Sequence, residues 1–159
     1  MKHDVVLRKN LLELLSSGNA HLDFDSAVAG LPATLHGAKP PGQPHTPWRL
    51  VEHMRIVQWD ILEFCRNPKH ASPKWPEGYW PAGDAPSDDA HWDHSVAGFR
   101  ADLAAMKKIV GDSQMDLLAL IPGGDGQTLL REALLVADHN AFHLGQLVLI
   151  RRLLGVWPD

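Results

Sequence analysis

One cysteine in 159 residues, Cys65, excludes an internal disulfide framework and suits a reducing compartment. Excess positive charge is missing too: Lys and Arg number 15 against 19 Asp and Glu, a formal net charge of −4. Such a chain carries no electrostatic footprint for nucleic acid or an anionic membrane surface. Its expected partners are a small-molecule substrate and a second copy of the chain, as a homodimer. The start, MKHDVVLRKNLLELL, lacks the apolar core and small-residue cleavage site of a signal peptide. The last apolar stretch, Leu144 to Trp157, is short for a bilayer and carries Arg151 and Arg152. A cytoplasmic protein without membrane attachment is expected. Sustained alternation of the strand kind is absent, as is any internal repeat. The Gly123-Gly124-Asp125-Gly126 run lacks the Gly-Lys-Ser/Thr ending of a phosphate loop and reads as a turn.

Helical periodicity is what the chain has in quantity. Val5 to Ser17 places Val6, Leu7, Leu11, Leu14 and Leu15 at helical spacing, with Asp4 as N-cap and Gly18 as stop. Asp25 offers a cap for a short turn over Ser26 to Leu31, before a proline-rich connection. Thr46-Pro47 then gives a hydroxyl cap followed by proline at the first helical position, where its missing N–H is harmless. That helix should run to about Arg66, ended by Asn67-Pro68. Its inward row is Leu50, His53, Val57, Asp60 or Ile61, and Phe64. Ser87 should cap a third helix running to about Val110, with Trp92, Val96, Phe99, Leu103, Met106 and Val110 inward and Gly111 as its stop. His91 and His94 near its start read as exposed. Thr128 or Asp125 caps a last helix, Leu129 to Leu154. Four long amphipathic helices in one domain over residues 1–159 imply an all-α four-helix bundle.

The last helix carries the chemistry. His139 and His143 stand four residues apart, so their imidazoles stack on one face, in a row with Glu132, Val136, Gln146, Ile150 and Leu153. The flanking rows are apolar as well, so the helix should be buried on most sides. Ten histidines make one such pair by chance unsurprising; a third ligand is needed. His53 supplies it, from the inward row of another long helix. Three imidazoles leave coordination positions open, the character of a catalytic rather than a structural site. Imidazole suits zinc, nickel, copper or iron. Cys65 lies over three turns beyond His53 and does not fit a ligand role. Asp60 is a candidate to hold a ligand imidazole or act as helper base, or else to pair with an arginine. Gln146 is a second candidate imidazole partner. Asp138 and Glu52 neighbour ligand histidines but point about 100° away, towards solvent or helix ends. Trp75, Tyr79 and Trp80, in the loop over residues 67–86, either staple it to the bundle or wall a pocket.

Two blocks, PHTPWRLVEHMRIVQWDILEF and DHNAFHLGQLVLIRRLLG, resemble the DinB-like (DinB/YfiT) metalloenzyme family, and the likeness spans nearly the whole chain. The resemblance implies a four-helix bundle holding a divalent metal ion on His53, His139 and His143, with zinc or nickel ahead of iron or manganese. It further implies a metal-dependent transferase that uses a low-molecular-weight thiol on a small electrophile. Two alternatives stand beside it: a metal-dependent hydrolase, weakened by the lack of a glutamate next to either metal histidine of the last helix, and a non-catalytic metal-stabilised bundle.

Overall fold

The structure is a computed structural model and describes residues 2–16 and 20–158. Four long helices, α1 (Lys2–Ser16), α3 (Pro47–Arg66), α4 (Asp89–Gly111) and α5 (Leu129–Leu153), form an all-α bundle; a short α2 (Phe24–Val28) lies between the first two. Single 3-10 turns occur at Ala33–Leu35 and Glu77–Tyr79. Among the described residues the sole β pairing is an isolated bridge between Leu120 and Thr128.

Local cap chemistry sets two helix starts where expected. Thr46 Oγ1 accepts from the Arg49 N–H at 3.2 Å, and Thr128 Oγ1 accepts from Arg131 at the same distance. Three other caps are corrected. Asp4 lies inside α1, where it binds Arg8 at 2.8 Å, because the helix already starts at Lys2. The Gly18 stop lies outside the described residues. Asp23, not Asp25, caps α2 by accepting from Ser26 at 2.7 Å; Asp25 is inside the first turn and reaches Arg100. Asp88, not Ser87, caps α4: its extended backbone points the carboxylate at the His91 N–H, 2.8 Å away.

α3 packs against both α4 and α5, and α1 closes the far side against the same two helices. The apolar interior falls into two clusters. One gathers Trp48, Leu50, Met54, Phe99, Leu144 and Leu147; the other gathers Leu11, Leu62, Met106, Val110, Ala133 and Val136. Between helices a buried polar chain ties three elements together. Asn140 Nδ2 donates to Gln58 Oε1 at 2.9 Å, and Gln58 Nε2 donates to the Phe99 carbonyl at 2.7 Å. Each bond satisfies a group that would otherwise be stranded away from water. Two arginines fasten the ends: Arg8 donates to the carbonyls of Val110 and Asp112, and Arg151 to those of Ala27 and Ala29.

α5 is less enclosed than its composition suggested. Leu134, Phe142, Leu149 and Leu153 are exposed, since neighbours cover one side of the helix and leave the opposite rows bare. Its 25 residues, with a mean hydropathy of 1.3 over an 18-residue stretch, would suffice by length and composition to cross a bilayer, more than the Leu144–Trp157 stretch alone indicated. Here its buried rows, from Leu129 through Val136 to Ile150, pack into the bundle.

Candidate metal centre

α3 and α5 bring His53, His139 and His143 to a common point. His53 Nε2 lies 3.1 Å from His143 Nε2 and 3.1 Å from His139 Nε2. One nitrogen from each ring falls within a 4.8 Å group, and among the described residues no carboxylate or thiolate joins it. The proline-started α3 fixes the register of His53; the four-residue spacing on α5 does the rest.

The outer nitrogens decide what the inner ones offer. His53 Nδ1 lies 2.7 Å from the Tyr79 carbonyl, and His143 Nδ1 lies 2.7 Å from Gln146 Oε1. Both partners are acceptors, so each Nδ1 carries the hydrogen and each Nε2 presents a lone pair. Burial, opposed in part by these hydrogen bonds, holds His53 down to about 4 and lowers His143 as well. Burial, with the neighbouring imidazoles, takes His139 to about 3. The rings are therefore neutral, the form that binds metals.

Lone pairs facing one another at 3.1 Å repel unless something positive lies between them. A metal–nitrogen distance of about 2.1 Å would space two ligand nitrogens about 3.0 Å apart at a right angle and about 3.4 Å apart in a tetrahedron. The observed spacing lies between these values, and the donor set fits a divalent ion. His139 Nδ1 is buried and has no hydrogen-bond partner among the described residues.

The loop between α3 and α4 both staples and walls the site. Trp80 stacks flat on His53, ring centroids 3.8 Å apart and planes 2° from parallel, and His45 stacks on the same indole. Tyr79 holds His53 with its carbonyl while its hydroxyl donates to Asp60 Oδ2 at 2.7 Å. Burial, then Asp60, raises that phenol to about 12, so it stays protonated. His70 Nε2 meets Asp60 Oδ1 at 2.6 Å. A cavity of about 490 Å³ opens beside the triad, within the usual range for small-molecule sites. The three histidines line it together with Trp75, Tyr79, Trp80 and Phe142; Val57, Ile61, Leu135 and Asp60 complete it.

Other expected roles sort as follows. Gln146 does hold a triad imidazole. Asp60 does not: its partners are Tyr79 and His70, and it meets neither a triad ring nor an arginine. Asp138 is exposed, as are His91 and His94. Glu52 is a correction. It is buried, receiving Arg55 at 2.6 and 2.8 Å and the Ser95 hydroxyl at 2.7 Å, because its row faces α4 rather than water. Cys65 packs at the edge of the second cluster, and burial followed by Glu132 raises its thiol to about 12. The Tyr79 carbonyl, His45 and His70 were missed. The loop aromatics flagged their region, but nothing in the sequence marks a backbone oxygen as a histidine partner.

Fold and site together define a class: a four-helix bundle with three convergent imidazoles that could hold a metal ion at the foot of a cavity. A family model for the DinB superfamily matches residues 20–147, which include all three histidines. The chain belongs to the DinB superfamily. Comparison with curated proteins and with solved structures finds no match.

Proposed function

We propose that this protein is a metal-dependent transferase, joining a low-molecular-weight thiol to a small electrophile. The observation that carries the reading is three imidazole nitrogens converging, with Nε2 lone pairs set on His53 and His143 and, among the described residues, no fourth protein ligand in the group, beside an apolar cavity. A divalent ion held by His53, His139 and His143 would supply Lewis acidity, the property that favours a thiolate at neutral pH. Tyr79 and Gln146 orient two of the rings from behind and keep their Nε2 atoms unprotonated. Trp80, flat against His53, shields that ring from water. The aromatic and aliphatic walls hold the electrophile and exclude water, which otherwise competes as nucleophile.

The test is conjugation of 1-chloro-2,4-dinitrobenzene by metal-loaded protein in the presence of small thiols, followed by absorbance. Thiol-dependent turnover that disappears in His53→Ala is expected. Turnover of activated esters without any thiol would support hydrolysis instead, and loaded protein inert in both assays would refute catalysis.

A further inference from the structure

The cavity beside the triad has a charge pattern of its own. Among the described residues no lysine or arginine lines it, and its one carboxylate, Asp60, is 7% exposed. Arg49, which approaches Trp80 at 5.6 Å, is not part of the lining and pairs with Asp84. An anionic ligand would therefore meet a buried acceptor group, with no lining Lys or Arg to answer its charge.

Asp60 has capacity left. An ionised carboxylate accepts from about four directions. Tyr79 Oη and His70 Nε2 take two of them. The cavity that Asp60 lines also includes Trp75, Tyr79 and Phe142, and the faces of such rings attract cations. Trp75 and Phe142, 72% and 64% exposed, put aromatic surface where the cavity meets solvent. Along α3, Asp60 stands seven residues from His53, about 10 Å at 1.5 Å per residue. A ligand reaching both ends must be at least as long as a ring with a short side arm.

We propose that the cavity is a binding site for an amine-bearing arene. Asp60 receives the ammonium group, the aromatic walls hold the ring, and the triad end takes a donor atom at the opposite pole. The inference names the substrate class of the proposed metal centre and rests on that reading only for the donor-atom end. It selects against thiols and electrophiles whose far end is a carboxylate.

The experiment compares two probes of matched skeleton, 4-(2-aminoethyl)benzenethiol and 3-(4-mercaptophenyl)propanoate. Both are titrated calorimetrically into metal-free and cobalt(II)-loaded protein, with the thiolate-to-cobalt charge-transfer band as a second signal. The amine should bind at least about tenfold more tightly than the acid in both forms, the scale of one charge-assisted hydrogen bond. Asp60→Asn should abolish that preference and leave the cobalt band intact at saturation. Equal affinities in the wild-type protein, or tighter binding of the acid, would overturn the inference without needing any variant. An amine preference without a cobalt band would refute the metal reading and leave the Asp60 assignment standing.

Discussion

Replacing Gln146 tests whether the proposed ligand set is held in place from behind. Gln146 Oε1 accepts the His143 Nδ1 hydrogen at 2.7 Å, a single bond that fixes both the tautomer and the tilt of the ring. Gln146 itself is half-buried and outside both apolar clusters, so its loss should leave the bundle folded. Loss of such an outer partner typically weakens metal affinity about 10–100-fold, or about 1.4–2.7 kcal/mol. Gln146→Leu should therefore weaken zinc binding by that factor, while Gln146→Glu, whose carboxylate accepts more strongly, should match or exceed the wild type. The assay is competition against a chromogenic chelator at pH 7.5, with thermal melts of the metal-free proteins alongside. A Leu variant that binds zinc within a factor of about two of wild type would refute the reasoning.

Three further outcomes follow. His139→Ala should purify with far less divalent metal than wild type when both are analysed without chelator; equal content would disprove the site. Glu52→Ala removes the buried carboxylate that receives Arg55 and the Ser95 hydroxyl and should lower unfolding stability by about 1–3 kcal/mol in denaturant melts, with metal content unchanged. Metal-free protein should lose stability on acidification. Burial holds His36, His53, His139 and His143 below the ordinary histidine value of about 6.5, so the unfolded chain binds protons first. Their contribution is complete above that pH and drains away as pH falls through the folded value, about 4 for His53. A melting temperature flat between pH 7 and pH 4.5 would contradict it.

Much of the bundle was legible because its determinants are local. Thr46-Pro47 and Thr128 act on backbone groups three residues away, so the sequence alone locates those helix starts. Where a second capping side chain sat one or two residues from the true cap, as with Asp25 and Ser87, the choice turned on backbone angles that composition does not encode. Periodicity put His53 and the His139–His143 pair on interior rows, but a row has no knowledge of its opposite face. Glu52 looked solvent-bound until α4 placed Ser95 against it. Phe142 and Leu149 looked buried, yet among the described residues little covers them.

The sequence by itself determined four long helices, the starts of α3 and α5, and which three imidazoles share a chance of meeting, because helix formation and side-chain phase depend on neighbours within a few positions. Tertiary structure alone decided that those imidazoles converge at 3.1 Å, that a carbonyl 26 residues away orients His53, and that Asp60 faces Tyr79 and His70 instead of the triad. Contacts between distant segments depend on how helices dock and where a loop folds back, and no short-range pattern in the chain records either.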